Sequence, residues 1–275
     1  MSLPVSLSSS RLQAVLFDLA GTLIDFGSMA PVRAFGRAFD AFGISLSDAQ
    51  IRRPMGSAKR DHIELILAEP DVRSCWSSRF GAEPGPTEID RLYAEFLEAD
   101  ARLATEHCDP VPGAGDLIAS LRARGIATGA TTGYPREILD RIAPLIAERG
   151  IALGAMVSAS DVSNGRPAPD MCLRGMGVLG IGDPAVCLVV DDTLAGIEAG
   201  RAAGMWTVGV AASGNEMGLT LAGWEALPAA ERRTRLSAIQ ERMHGAGAHY
   251  VIASVADLEE PIAAIEAALA MGERP

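Results

Sequence analysis

Ala14-Val15-Leu16-Phe17-Asp18-Leu19-Ala20-Gly21-Thr22 decides the reading of this chain. A short apolar run without polar alternation suits a strand buried on both faces, and such strands belong to parallel sheets covered by helices. Outward from this first strand, placed at about 13–17, similar runs rich in Val, Ile and Leu recur at about 126–131, 155–158, 187–190 and 206–211. Helical patterns separate them. Gly125 and Gly204 each stand just past a helix and before a strand, as helix-closing glycines do. The expected fold is α/β, with a Rossmann-like parallel sheet as its core.

Between 26 and 105 the pattern changes. Phe35, Phe39 and Phe42, then Leu92, Tyr93, Phe96 and Leu97, recur at helical spacing without strand signals. This predicts a helical cap inserted after the first strand and set over the carboxyl edge of the sheet. Residues 11–25 and 106–275 then form a discontinuous core domain, and 26–105 the cap domain. In the stretch 213–245 a helix from Trp224 to Met243 is evident, without an evident packing partner. No internal repeat or low-complexity segment interrupts the chain.

The 24 Lys+Arg against 35 Asp+Glu give a net charge of −11. That balance disfavours nucleic acid and anionic membrane surfaces as partners, but not a small anion held in a cleft by local cations or a metal. Cys75, Cys108, Cys172 and Cys187 lie far apart with no C-x-x-C pair, so neither a zinc site nor a disulfide framework is expected. Free thiols, the lack of a signal-like pattern in the opening MSLPVSLSSS and the lack of a membrane-length apolar run predict a cytoplasmic protein.

In an open parallel sheet, ligands bind beyond the carboxyl ends of the strands. The first expected strand ends in Asp18, the second in Thr131-Thr132-Gly133-Tyr134, the fourth in Asp191-Asp192-Thr193, with Gly165-Arg166-Pro167 between the last two. Singly, each has an ordinary reading as a helix cap, turn residue or solvated charge. Together and in this order they supply a nucleophile, a hydroxyl, a cation and a second carboxylate, the parts that phosphoryl transfer requires. Asp18 is the expected nucleophile. Asp18 and Asp192 are the expected ligands of Mg²⁺, and Thr132 and Arg166 the expected partners of phosphoryl oxygens.

These motifs resemble the haloacid dehalogenase superfamily, and more closely its phosphonoacetaldehyde hydrolase (phosphonatase) family. The matching segments are VLFDLAGTLIDFGSMAP, RRPMGSAKRDH, GATTGYPREI, NGRPAPDMC and AGMWTVGV followed by GNEMGLT, within about 13–260. Most phosphatases of the superfamily carry D-x-D, whose second aspartate protonates an oxygen leaving group; here that position is Ala20, as in phosphonatases. The resemblance implies cleavage of the carbon–phosphorus bond of phosphonoacetaldehyde to acetaldehyde and phosphate. Lys59 forms a Schiff base with the aldehyde, Asp18 is phosphorylated, and the Ala20 backbone carbonyl joins Asp18 and Asp192 on Mg²⁺. It also implies that Met55, Gly56, His62, Gly133 and Tyr134 bind the substrate, and that the protein is a homodimer through the cap.

The residues around Lys59 agree with that role. Ser57 is a candidate N-cap that sets Lys59 in the first helical turn, where the helix dipole disfavours an ammonium. Arg60 is expected to act in the same direction, and His62 to share the helix face of Lys59 and hydrogen-bond a water or the substrate carbonyl. Two departures stand out: after the fourth strand the family pattern is G-D-T-x-x-D, whereas Asp191 replaces the glycine and Gly196 the acid. A weaker metal site follows unless Asp191 compensates. Ser28 also replaces an expected cysteine. The competing functions are a phosphatase or dehalogenase of other specificity, against which Ala20 and Lys59 argue, and a non-catalytic binding module, supported by Gly196.

Overall fold

The computed structural model describes residues 11–275; the expectation about the opening ten residues falls outside them. The strands are β1 (Ala14–Phe17), β2 (Ala127–Thr132), β3 (Ala155–Ser158), β4 (Cys187–Asp191), β5 (Trp206–Val210) and β6 (Tyr250–Ile252). They form one parallel sheet in the order β3-β2-β1-β4-β5-β6. All four residues of β1 are buried, as its unbroken apolar run requires. Phe17 is level with Ala130 of β2 and Val190 of β4. The next residues along these strands, Asp18, Thr131 and Asp191, therefore emerge side by side at the carboxyl edge.

The stretch 26–105 contains five helices and no strand: α1 (Met29–Ala41), α2 (Asp48–Arg52), α3 (Lys59–Ala68), α4 (Pro70–Phe80) and α5 (Pro86–Glu106). They share an apolar core of their own around Phe35, Phe39, Trp76, Leu92 and Phe96. Full burial of such a side chain stabilises by roughly 1.5–3 kcal/mol, and together these contacts hold the helices to one another. Asp25, after β1, accepts a hydrogen bond from the Ala30 amide at 2.8 Å and so starts α1. On α5, Gly85 precedes Pro86, and its amide donates to the Glu88 carboxylate at 3.0 Å.

The remaining helices cover the sheet: α6 (Ala114–Ala123), α7 (Arg136–Glu148), α8 (Asp170–Val178), α9 (Leu194–Ala202), α10 (Leu221–Ala226), α11 (Ala229–Gly245) and α12 (Glu259–Ala270). The five expected strands are present, to within a residue or two. β6 is an addition, since three residues, two of them partly exposed, make too short an apolar run to recognise. It also brings a partner for the 213–245 stretch. Ile239 and Met243 of α11 bury against Ile197, Ala211, Met217 and Ala248 at this end of the sheet. No helix among the described residues is long and apolar enough to cross a membrane, and the four cysteines are free thiols.

Candidate active site

The loop after each central strand contributes one part of the site. Arg166, buried beneath the cap, donates from Nη1 to Asp18 Oδ1 at 2.7 Å and from Nη2 to the Thr131 carbonyl and hydroxyl at 2.8 and 2.7 Å. The same Nη2 lies 3.0 Å from Asp191 Oδ2, an ion pair outside hydrogen-bond alignment. The fork expected to hold phosphoryl oxygens thus rests on protein groups, with Nε free of a partner. Burial pushes the Asp18 carboxyl up to about 6; the Arg166 charge works against that, and Asp191 adds to it. Arg166 itself is held charged by the two carboxylates, against its burial.

Asp192 is fully buried one residue beyond β4. Its Oδ1 accepts from the Thr22 hydroxyl at 2.9 Å and its Oδ2 from the Asn215 amide at 2.7 Å. Burial, then Asp18 and Asp191, raise its pKa well above the usual carboxylate range. Three carboxylates in one buried cluster are an unfavourable set without a compensating cation. Among the described residues no three His, Cys, Asp or Glu side chains converge as metal ligands; the donor set that fits a hard cation here is two carboxylates and a backbone carbonyl.

The exchange of Asp191 and Gly196 has a geometric basis. A Cβ at Gly196 would lie 1.9 Å from Asp191 Oδ2 and 2.0 Å from its Cγ. The Asp191 carboxylate occupies the volume that a side chain at 196 would need. From there its Oδ1 accepts from the Thr193 amide at 2.9 Å and hydroxyl at 2.7 Å, while Oδ2 faces Arg166. The same hydroxyl accepts from the Gly196 amide at 3.1 Å and starts α9. A buried carboxylate thus stands beside Arg166, held at the end of β4.

The cap closes on these loops through its 54–59 turn. Gly56 has φ +95°, and a Cβ there would lie 2.5 Å from Thr193 Oγ1; at Gly133 it would lie 2.8 Å from the Ser57 carbonyl oxygen. Only glycines allow this approach. Beneath lies a cavity of about 20 Å³, lined by Asp18, Ala20, Ser28, Pro31, Met55, Gly56, Lys59, Thr132, Gly133, Tyr134, Arg166 and Thr193. That is room for about one water. A larger groove of about 660 Å³ runs outside it between α3 and α9 and shares Met55 and Arg166.

Lys59 opens α3 and is buried, its Nζ 3.9 Å from Met55 Sδ and 5.3 and 5.6 Å from the Tyr134 and Phe35 ring centroids. Burial lowers its pKa; Asp100 and then Asp18 oppose that. Three local expectations need correction. Ser57 is not the N-cap: its hydroxyl donates to the Pro54 carbonyl at 2.6 Å and Ala58 takes the cap position. Arg60 turns outward to Glu64 and Asp90, so desolvation is what depresses the Lys59 pKa. His62 does not line the cavity. Its ring packs tilted against Phe35, with centroids 3.9 Å apart, and its Nε2 donates to the Ile51 carbonyl at 2.7 Å, bracing the turn that carries Met55. Burial and the Lys59 charge keep it neutral.

The cavity thus gathers Asp18, Lys59, Thr132, Arg166, Met55, Gly56, Gly133, Tyr134 and Ala20, with Asp192 beneath. Thr132 Oγ1 accepts from the Tyr134 amide at 3.1 Å, which leaves its proton to donate. Sequence reasoning missed Asn215, which braces Asp192 and whose side chain donates to the Arg52 carbonyl at 3.1 Å. It missed Arg52 of the cap, which reaches the Gly27 carbonyl at 2.8 Å. It also passed over a signal in the composition: of the 24 Lys+Arg residues Lys59 is the sole lysine. Arginine cannot supply a neutral amine at any ordinary pH, whereas a desolvated lysine can.

A family model described as a haloacid dehalogenase-like hydrolase matches residues 12–204. The chain is 46% identical to the phosphonoacetaldehyde hydrolase of Hahella chejuensis over 264 residues, covering 96% of this chain and 90% of that protein. It is 42% identical to that of Paraburkholderia phytofirmans, with 96% and 99% covered. A crystal structure of a phosphonoacetaldehyde hydrolase like protein from Oleispira antarctica superposes with a TM-score of 0.96 at 40% identity, over 100% of both chains. A β-phosphoglucomutase-type structure from Bacteroides vulgatus, at 22% identity and a TM-score of 0.68, shares the fold. On these matches, the chain belongs to the haloacid dehalogenase-like hydrolases and, within them, to the phosphonoacetaldehyde hydrolase family.

Proposed function

We propose that this hydrolase cleaves the carbon–phosphorus bond of phosphonoacetaldehyde, releasing acetaldehyde and phosphate. The observation that carries this reading is the shared cavity of a buried lysine amine and a buried carboxylate, with Ala20 where an oxygen leaving group would need an acid. The neutral Lys59 amine adds to the aldehyde and loses water to give an iminium. Asp18 then attacks phosphorus, and the electron pair of the breaking bond moves into the iminium, leaving an enamine and an acyl phosphate on Asp18. Water cleaves the acyl phosphate, and protonation and hydrolysis of the enamine free acetaldehyde and Lys59. Thr132 and Arg166 Nε donate to the phosphoryl oxygens.

Asp18, Asp192 and the Ala20 backbone carbonyl would hold Mg²⁺, whose charge offsets the repulsion among the buried carboxylates and the phosphoryl group. The resemblance carries a homodimer as well. Leu65 and Phe80, exposed on α3 and α4, are apolar groups that such a contact would cover, and sedimentation tests it. The function is tested by magnesium-dependent phosphate release from phosphonoacetaldehyde beside a panel of phosphomonoesters. Release from the phosphonate, silenced by chelation and restored by Mg²⁺, is expected; faster release from a monoester would overturn the assignment.

A further inference from the structure

Helix α5 turns one face inward through Leu92, Phe96, Asp100 and Leu103. Asp100 interrupts this apolar stripe with a carboxylate that is fully buried and has no hydrogen-bond partner on either oxygen. Burying a carboxylate without partners costs several kcal/mol in general, so its presence calls for a role. The groups acting on it are Lys59 on α3 and Asp25 after β1, and it acts in turn on Tyr134 after β2 and Tyr93 two turns earlier on α5. Helices α1 and α7, packed along α5, bury only apolar residues. Among the described residues, Asp100 is the charge that most opposes the lowering of the Lys59 amine by burial, ahead of Asp18.

Two opposite charges brought into an apolar interior are each penalised by desolvation, and transfer of one proton between them removes both penalties. The burial of Asp100 pushes its carboxyl up to about 7, while burial lowers the Lys59 amine. Both directions favour an acid and a free amine on the packed faces of α5 and α3, where Phe35 contacts both the Lys59 amine and Phe96, one turn before Asp100.

We propose that Asp100 is the proton store of Lys59, taking the proton the amine must shed before it condenses with an aldehyde and returning it as water leaves. The proposal rests on the imine reading of the preceding section. The balance closes: a neutral amine, an aldehyde and one carboxylic acid give an iminium, one water and one carboxylate. Hydrolysis of the final iminium releases a proton, which restores the Asp100 acid. Asp100 acts through Lys59 and is a positioning residue.

The sole lysine makes a direct test available, since ¹³Cε-labelled lysine contributes a single side-chain resonance. In Asp100→Asn that resonance should titrate at lower pH than in the unaltered protein, because the carboxylate that raises the amine is gone. A merely electrostatic or structural role then predicts faster condensation. The proton store predicts the reverse: trapping of acetaldehyde on Lys59 by borohydride slows by roughly a hundredfold near neutral pH, with partial recovery in Asp100→Glu. Unchanged or faster trapping in Asp100→Asn would overturn the proposal alone, whereas no trapping in the unaltered protein would overturn the imine reading with it. Should the variants fail to fold, infrared difference spectra of the unaltered protein serve: imine formation with acetaldehyde, without borohydride, should remove a protonated-carboxyl band, and persistence of that band would contradict the role.

Discussion

At the carboxyl edge of the sheet the buried Arg166 lies within 3.0 Å of both Asp18 and Asp191. In the cap, the buried Lys59 has the Met55 thioether, at 3.9 Å, as its hydrogen-bonding contact. At the edge, pairing with two carboxylates holds Arg166 charged, and Arg166 in turn counters the rise that burial gives Asp18, whereas the cap drives its groups toward neutrality by leaving them unpaired. His62 follows the cap pattern, with burial holding it neutral and Nδ1 unpartnered. The difference matches what the proposed chemistry asks of each region. A nucleophilic carboxylate must be charged, and an amine that forms an imine must not be.

The edge is broken most severely at Asp18. Asp18→Asn should reduce phosphate release by roughly three orders of magnitude or more while the circular dichroism spectrum is unchanged, since the nucleophile is lost and the buried strand is not. Phosphate release near the parental rate would remove Asp18 from the mechanism. Arg166→Lys keeps the charge but cannot reach Asp18, Thr131 and Asp191 together; kcat should fall by roughly a hundredfold. A near-normal kcat would mean that charge alone suffices at the edge.

A third substitution sharpens how the edge places its carboxylates. Gly196→Asp would set a Cβ 1.9 Å from Asp191 Oδ2 and a second carboxylate against the first. Denaturant melts should show a loss on the order of 3 kcal/mol. Adding Asp191→Gly should recover most of it, because the carboxylate has then only changed its point of attachment. Equal stability of the single variant and its parent would contradict the exclusion.

The smallest expected effect lies in the cap. Asp100 carries a carboxyl raised from 3.8 to about 7. An acid raised on folding costs nothing below its unfolded pKa, where both states bind the proton, and destabilises as pH rises through the folded value. Asp100→Asn should therefore gain stability relative to the parent between about pH 4 and about pH 8, with an upper bound on the order of 4 kcal/mol. Taking the difference between the two pH values cancels the constant cost of the buried amide. No change in that difference would show that Asp100 is charged throughout.

Most of the sheet was legible because β1, β3, β4 and β5 are short, largely apolar runs and Gly125 and Gly204 close the helices before β2 and β5, whereas β6 is three residues long and half covered. The edge residues were legible too, since a parallel sheet delivers strand ends to one crevice, and Asp18, Thr132, Arg166 and Asp192 stand at such ends. The cap was harder. Its helices were evident from aromatic spacing, but the orientation of each side chain about its helix depends on packing that spacing does not encode. Arg60 and His62, neighbours of Lys59 in sequence, turned to Asp90 and to Ile51. Asp100, distant in sequence, bears on Lys59 because α3 packs on α5. A carboxylate within the stripe Leu92, Phe96, Asp100, Leu103 was the readable signal, and so was a single lysine among 23 arginines.

That single lysine also gives the most direct test of the chemistry. With phosphonoacetaldehyde or acetaldehyde present, borohydride can reduce an imine on one of two amines in the chain, Lys59 or the N-terminus. Intact mass should gain one two-carbon adduct, peptide mapping should place it on Lys59, and Lys59→Arg should lose both the adduct and phosphate release from phosphonoacetaldehyde. An adduct confined to the N-terminal amine, or turnover persisting in Lys59→Arg, would contradict cleavage through a Lys59 imine.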